Sequence, residues 1–345
     1  MRLRTTRRTL TGAALAAGLA FSLAACSSDD ASDAGSADSS AGSSGSSSSA
    51  TDQDAFPTTV ATKFGDVEIK DQPKKVVALG WGDAETAMAL GVQPVAESDW
   101  LNMGGEGLGP WVDKGYDKAP EVISTSEPEY EKIAALEPDL ILDVKSKGDQ
   151  ERYDKLSEIA PTVGVPDDKA DSFLTGPDDQ VKMIAQAVGK TTEGDKILQD
   201  RQDRAAKIKA EHPEWDGNTL SAVGASKTWG VFLPGSVRVD PLMQLGFRLN
   251  DDIASSEAGQ NGFSVSLTDE TLSRADADLV LAYPISRTEQ DIAGADAWKR
   301  LNATKEGHSV ILPKEVAQAF SAGTPQAYNF AMDKMVPLIA DHVAK

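Results

Sequence analysis

Large aromatic and cationic side chains fall just after short apolar runs in this chain, where they could wall and hold a ligand. Trp81 follows the run 75–79, Trp100 follows 92–96, and Lys145 and Lys147 follow Leu140-Ile141-Leu142, with Lys147 assigned to the site. In the second half Ser226, Lys227 and Trp229 follow the run 220–224, and Tyr283 and Arg287 follow Leu279-Val280-Leu281. In open α/β sheets ligands sit beyond the carboxyl ends of strands, which is why these positions are nominated. Aromatic faces bury apolar ligand surface, while Arg, Lys and Tyr donate to anionic oxygen. Plainer readings stand beside these. Tryptophan in such folds is usually core, Lys145 and Lys147 fit an ordinary surface, and Arg287 near Glu289 fits a solvated pair.

Other chemistries find little support. His212, His308 and His342 are scattered, whereas a bare transition-metal site gathers His and carboxylates, so no intrinsic metal or cofactor is expected. There is no G-x-S-x-G elbow and no placed base, so an enzyme is not expected. The glycines at 104–109 do not spell G-x-G-x-x-G and follow no clear strand, which argues against a dinucleotide loop.

The elements that would position these residues alternate. Strands are expected at 75–79, 92–96, 121–123, 140–142 and 162–165, with helices at 84–90 (capped by Asp83), 130–136, 150–159 and 178–188. The alternation restarts with strands at 220–224, 279–281 and 309–312 and helices at 240–245, 269–274, up to 301, and from Pro325 onward, where Pro337 kinks or restarts the last one. Between the halves, 192–212 reads as one long helix, with Thr192 as its cap and Pro213 as its stop. Its few apolar residues, Ile197, Leu198, Ala205, Ala206 and Ile208, leave a narrow stripe for a neighbour. The expected fold is α/β: two Rossmann-like lobes with mostly parallel sheets, joined by one rigid α-helix. An internal echo agrees. Glu131 and Glu270 each stand nine positions before a buried strand, and Asp139 and Asp278 immediately precede those strands.

The first 25 residues carry Arg2, Arg4, Arg7 and Arg8, then a small-residue apolar stretch, which reads as an export signal. Arg7-Arg8-Thr9-Leu10 also resembles a twin-arginine signal, so the export route stays open. Leu23-Ala24-Ala25-Cys26 resembles a bacterial lipobox, which implies cleavage before Cys26 and lipidation of its thiol. Residues 26–54 are too polar to bury a core and read as a flexible tether. Net charge is −20, and −24 once the leader is removed, which argues against nucleic acid and against adsorption to anionic lipid. The expected organisation is 1–25 leader, 26–54 anchor and tether, 55–190 first lobe, 191–213 connector and 214–345 second lobe.

Pro73 to Val92 (PKKVVALGWGDAETAMALGV), 127–142 (EPEYEKIAALEPDLIL), 153–163 and 234–247 (PGSVRVDPLMQLGF) together resemble ABC-importer substrate-binding proteins of the ferric-siderophore and cobalamin class. The resemblance spans about residues 57–343. It implies a cleft between the lobes, limited hinge motion, and Arg238 in a loop at the cleft, although Asp240 nearby would also make a local ion pair. It implies a lipid-anchored monomer on the extracytoplasmic face that binds a ferric siderophore and feeds an ABC permease dimer with its ATPase. It further implies that Glu131 and Glu270, one per lobe, meet Arg residues on the permease; as bare helix-start acids they would only favour their helix dipoles. Cobalamin or haem is the alternative ligand. The chelate class (hydroxamate, catecholate or carboxylate) stays open.

Overall fold

The computed structural model describes residues 55–259 and 262–343; the leader, Cys26 and the tether lie outside them. A hairpin of β1 (Thr58–Thr62) and β2 (Gly65–Ile69) comes first. The first lobe's sheet is built from β3 (Val76–Ala78), β4 (Ala96–Glu97), β5 (Glu121–Val122), β6 (Leu140–Leu142) and β7 (Thr162–Val163). Their order is β5-β4-β3-β6-β7 and every pairing is parallel. Val76-Val77-Ala78 and Leu140-Ile141-Leu142 are buried throughout, as strands covered on both faces must be.

The second sheet contains β8 (Thr219–Ala225), β9 (Trp229–Phe232), β10 (Arg248–Leu249), β11 (Ser264–Leu267), β12 (Leu279–Pro284) and β13 (Ser309–Ile311). The order is β11-β9-β8-β12-β13, with β10 also beside β8. β8, β12 and β13 are parallel, whereas β9 runs antiparallel to both β8 and β11. In place of the helix expected at 269–274, residues 268–271 turn and a 3-10 segment, Leu272–Ala275, follows. The repeated aspartates do the same work in both lobes. Asp139 accepts from the amides of Lys74 and Lys75, and Asp278 from the amide and hydroxyl of Thr219. Each carboxylate thus ties the start of its own strand to the start of the neighbouring parallel strand.

The long helix is Thr191–Glu211. Thr192 is not its cap; Lys190 holds that position without a side-chain cap bond, and Thr192 lies inside the first turn. At 1.5 Å per residue the helix spans about 31 Å. Its apolar stripe passes from core to core: Ile197 packs on the first lobe's cluster, and Ala205 and Ile208 belong to the second lobe's. Gly194 sits where a Cβ would meet the Ala185 Cβ at 2.5 Å, so the helix lies closely on Pro177–Ala187. A second fastening joins the lobes. Trp111, on the first lobe's 98–116 loop, is buried in the second lobe's cluster, and its Nε1 donates to Glu85 at 2.8 Å. The Thr324 hydroxyl, just before the C-terminal helix Pro325–Ala340, donates to the same carboxylate oxygen at 2.6 Å.

Candidate ligand-binding cleft

A cavity of about 650 Å³ opens between the lobes, within the range of small-ligand sites. Its first-lobe wall starts where β3 ends. Gly80 passes so close to the end of β6 that a Cβ there would lie 2.8 Å from the Lys145 amide, and the Trp81 amide donates to the Lys145 carbonyl at 2.8 Å. Gly82, at φ 77°, then turns the chain into helix Asp83–Ala89. Asp83 does not cap this helix, as the sequence suggested. Its carboxylate accepts from the Val144 amide and from Gln180, clamping the two strand ends together. Trp81 and Lys145 therefore stand side by side on the cavity wall.

Trp81 stacks on Trp100 (4.4 Å, 10°) and on Phe173 (3.9 Å, 11°). Two rings stacked so closely on one face would overlap, so they cover opposite faces. Trp81 meets the cavity by its edge rather than by its face, and its Nε1 has no hydrogen-bond partner among the described residues. Ser172 and Phe173 hold φ of 61° and 67°, a left-handed conformation that costs a non-glycine residue about 1–2 kcal/mol. Phe173 escaped the sequence reading. Its only local signal is an aromatic standing alone in the polar segment Asp171-Ser172-Phe173, and its partner lies 92 positions away.

The second lobe supplies Arg238. Its Nε and Nη2 both donate to the Ser321 hydroxyl (3.2 and 2.7 Å), and its guanidinium lies 4.7 Å from the Phe232 ring centre. Asp240 does not pair with it; that carboxylate accepts from the Gly235 amide instead. Ser226, Thr228, Ser236 and Ser266 complete this wall. A profile of the periplasmic binding protein family matches residues 76–316.

The chain belongs to the periplasmic binding protein family. Among relatives of this periplasmic binding protein, an iron(3+)-hydroxamate-binding protein of Bacillus subtilis is 30% identical over 75% of this chain and 80% of its own. An Fe(3+)-citrate-binding protein of the same organism is 29% identical over 70% and 74%. A periplasmic solute binding protein from Mycobacterium smegmatis superposes with a TM-score of 0.73 at 29% identity, covering 83% of this chain and 99% of that one.

In this periplasmic binding protein several nominated residues stand away from the cavity. Trp229 is fully buried, its Nε1 donating to Asp269. It opens β9, which returns from β8 through a tight turn, so the rule for parallel strand ends does not apply to it. Arg287 lies over the outside of Trp229 at 4.3 Å and donates to the Lys227 carbonyl. Tyr283 is fully buried inside β12, which runs three residues beyond Leu281. Its hydroxyl donates to the Arg238 carbonyl at 3.1 Å, so it supports the cleft floor from beneath. Lys147 is exposed, and its carbonyl accepts from the Ser172 amide just before the turn at Gly148. Lys145, two residues earlier, is the lysine that lines the cavity.

Burial shapes the site's electrostatics. The Lys145 ammonium, 4% exposed, is pushed down to about 8 by burial and then by Arg238, against the opposing pull of Asp83. Burial likewise lowers Arg238 to about 10 and raises Asp83 to about 7. Among the described residues no group of three or more His, Cys, Asp or Glu converges to hold a metal ion.

Proposed function

We propose that this protein captures an iron(III)–siderophore complex in the interlobe cleft and delivers it to an ABC permease for iron uptake. The observation that carries this reading is the lining: an aromatic pile and a hydroxyl-rich wall bearing cations, with no metal-ligating cluster among the described residues. Such a lining suits iron that arrives already wrapped in an organic chelator, and relatives named for iron(3+)-hydroxamate and Fe(3+)-citrate support it. Lipidated Cys26 tethers the protein to the extracytoplasmic face of the membrane. The domain division 55–190, 191–213 and 214–345 belongs to this reading, with the helix as connector.

Glu131 and Glu270 are the docking pair in this proposal. Both are exposed. Glu131 lies in the first turn of helix Tyr130–Ala135, which begins near the carboxyl end of β5, where Glu129 accepts from the Ser124 amide. Glu270 stands three residues beyond β11, whose last residue pairs with Trp229 at the carboxyl end of β8. Each glutamate thus sits on the cleft-side rim of its own lobe, suited to arginines on the two permease subunits.

Titration of tryptophan fluorescence with iron-loaded siderophores, cobalamin and haem tests the reading. Saturable quenching by an iron chelate, with none by the other two, is expected. Binding of cobalamin or haem alone would replace the proposed ligand.

A further inference from the structure

Among the described residues the cavity lining contains Lys145, Arg238 and Lys314 but no Asp or Glu, although the chain as a whole carries 54 acids against 34 bases. Lys145 is the telling member. It is 4% exposed, and its Nζ has no hydrogen-bond partner among the described residues. A buried ammonium without an acceptor is costly, and a purely structural position would be filled as well by Met or Leu. The charges around it do not neutralise it. Asp83 spends its carboxylate on Val144 and Gln180, while Arg238 and Arg201 add positive potential. Arg238 has no carboxylate partner among the described residues either. Its one described acceptor, the Ser321 oxygen, gives its own proton to the Ala317 carbonyl.

We propose that the cleft selects iron(III) chelates with net negative charge over uncharged ones, and that Lys145 and Arg238 together form the anion-recognising subsite. The proposal rests on the siderophore reading and narrows it. Tris-hydroxamate iron(III) complexes are formally uncharged, whereas tricatecholate and citrate-type complexes present anionic oxygens. Such oxygens supply the acceptors that Lys145 lacks and sit between two cations that otherwise repel each other. The aromatic pile beside Lys145 on the first lobe covers the organic periphery of the same ligand.

The test uses wild-type protein, Lys145→Met and Arg238→Gln, titrated with an iron(III) trihydroxamate, an iron(III) tricatecholate and iron(III) citrate at pH about 7. Wild type is expected to bind an anionic chelate at least about ten-fold tighter than the trihydroxamate. Each variant is expected to lose about ten-fold more affinity for the anionic chelate than for the uncharged one. Wild-type protein also provides an arm that needs no mutation. Raising the pH from about 7 to about 9 removes most of the Lys145 charge and completes the ionisation of Asp83 beside it, while Arg238 keeps its proton; both changes make the subsite less positive, so tricatecholate affinity should fall and trihydroxamate affinity hold. Equal or tighter binding of the trihydroxamate by wild type overturns the charge preference and leaves the siderophore reading standing. Folded variants with unchanged anion affinity overturn the roles of Lys145 and Arg238. If no iron chelate binds, the siderophore reading falls, and this proposal falls with it.

Discussion

Trp81 shows how a side chain can matter to a ligand without offering it a face. Trp100 and Phe173 cover both sides of its ring, so its loss would unseat the whole pile. Trp81→Ala is expected to weaken chelate binding by about 1–3 kcal/mol, read by calorimetric titration. Unaltered affinity in a folded variant would place the ligand elsewhere. Tyr283→Phe removes the hydroxyl bond to the Arg238 carbonyl and is expected to cost about 0.5–1.5 kcal/mol of stability. Glu97 predicts a pH effect. Its carboxyl is raised from 4.5 to about 8 by burial, and then by Asp99 and Glu85, and one of its oxygens has no partner among the described residues. Between those pH values the folded state holds a proton that the unfolded chain has released. This contribution to stability therefore falls as pH rises through that window and is constant above it. Glu97→Gln should match wild type near pH 5 and exceed it near pH 8 in urea unfolding. The same deficit at both pH values would show that the carboxyl keeps its ordinary affinity for protons.

The elements that hold the lobes together make their own predictions. Gly194→Ala places a methyl 2.5 Å from the Ala185 Cβ, so Pro177–Ala187 and the long helix must separate. Overpacking outweighs the better helix propensity, and a net loss of about 1–3 kcal/mol is expected in chemical denaturation. Thr324→Val leaves the buried Glu85 carboxylate short of one donor and should cost about 1–2 kcal/mol. Most elements were legible because their signals are local. Buried strands announce themselves as unbroken apolar runs such as Leu140-Ile141-Leu142, and Pro325 opens its helix where fixed φ allows. The antiparallel strands β9 and β11 were not legible. Trp229-Gly230-Val231-Phe232 and Ser264-Val265-Ser266-Leu267 are short, and only pairing across the sheet makes them strands.

Across the molecule, the fastenings between the lobes include the long helix, free of Pro and Gly after Gly194, and the Trp111–Glu85–Thr324 contact. The lobes are therefore expected to close only slightly on a ligand, with X-ray scattering curves of free and loaded protein differing by little. Compaction of many ångströms in radius would mean that the helix bends. Exposed rim carboxylates act on association, so Glu131→Ala with Glu270→Ala should lower iron uptake by cells while chelate affinity measured in solution survives. Normal uptake in the double variant would reduce both residues to local roles.

The alternation of strands and helices, the long helix between two halves, and the aspartates that begin equivalent strands are written in neighbouring residues and so are readable from the chain alone. Which nominated side chains meet in the cleft was decided only by tertiary structure. Lys145 rather than Lys147 lines the cavity because its carbonyl accepts from Trp81, 64 positions away, before the chain turns outward at Gly148. Trp229 and Tyr283 lie in the core because sheet pairing carries them inside, and Phe173 joins the site because Trp81 offers it a ring face. Those contacts link residues far apart in the chain, and no local pattern of residue types specifies them.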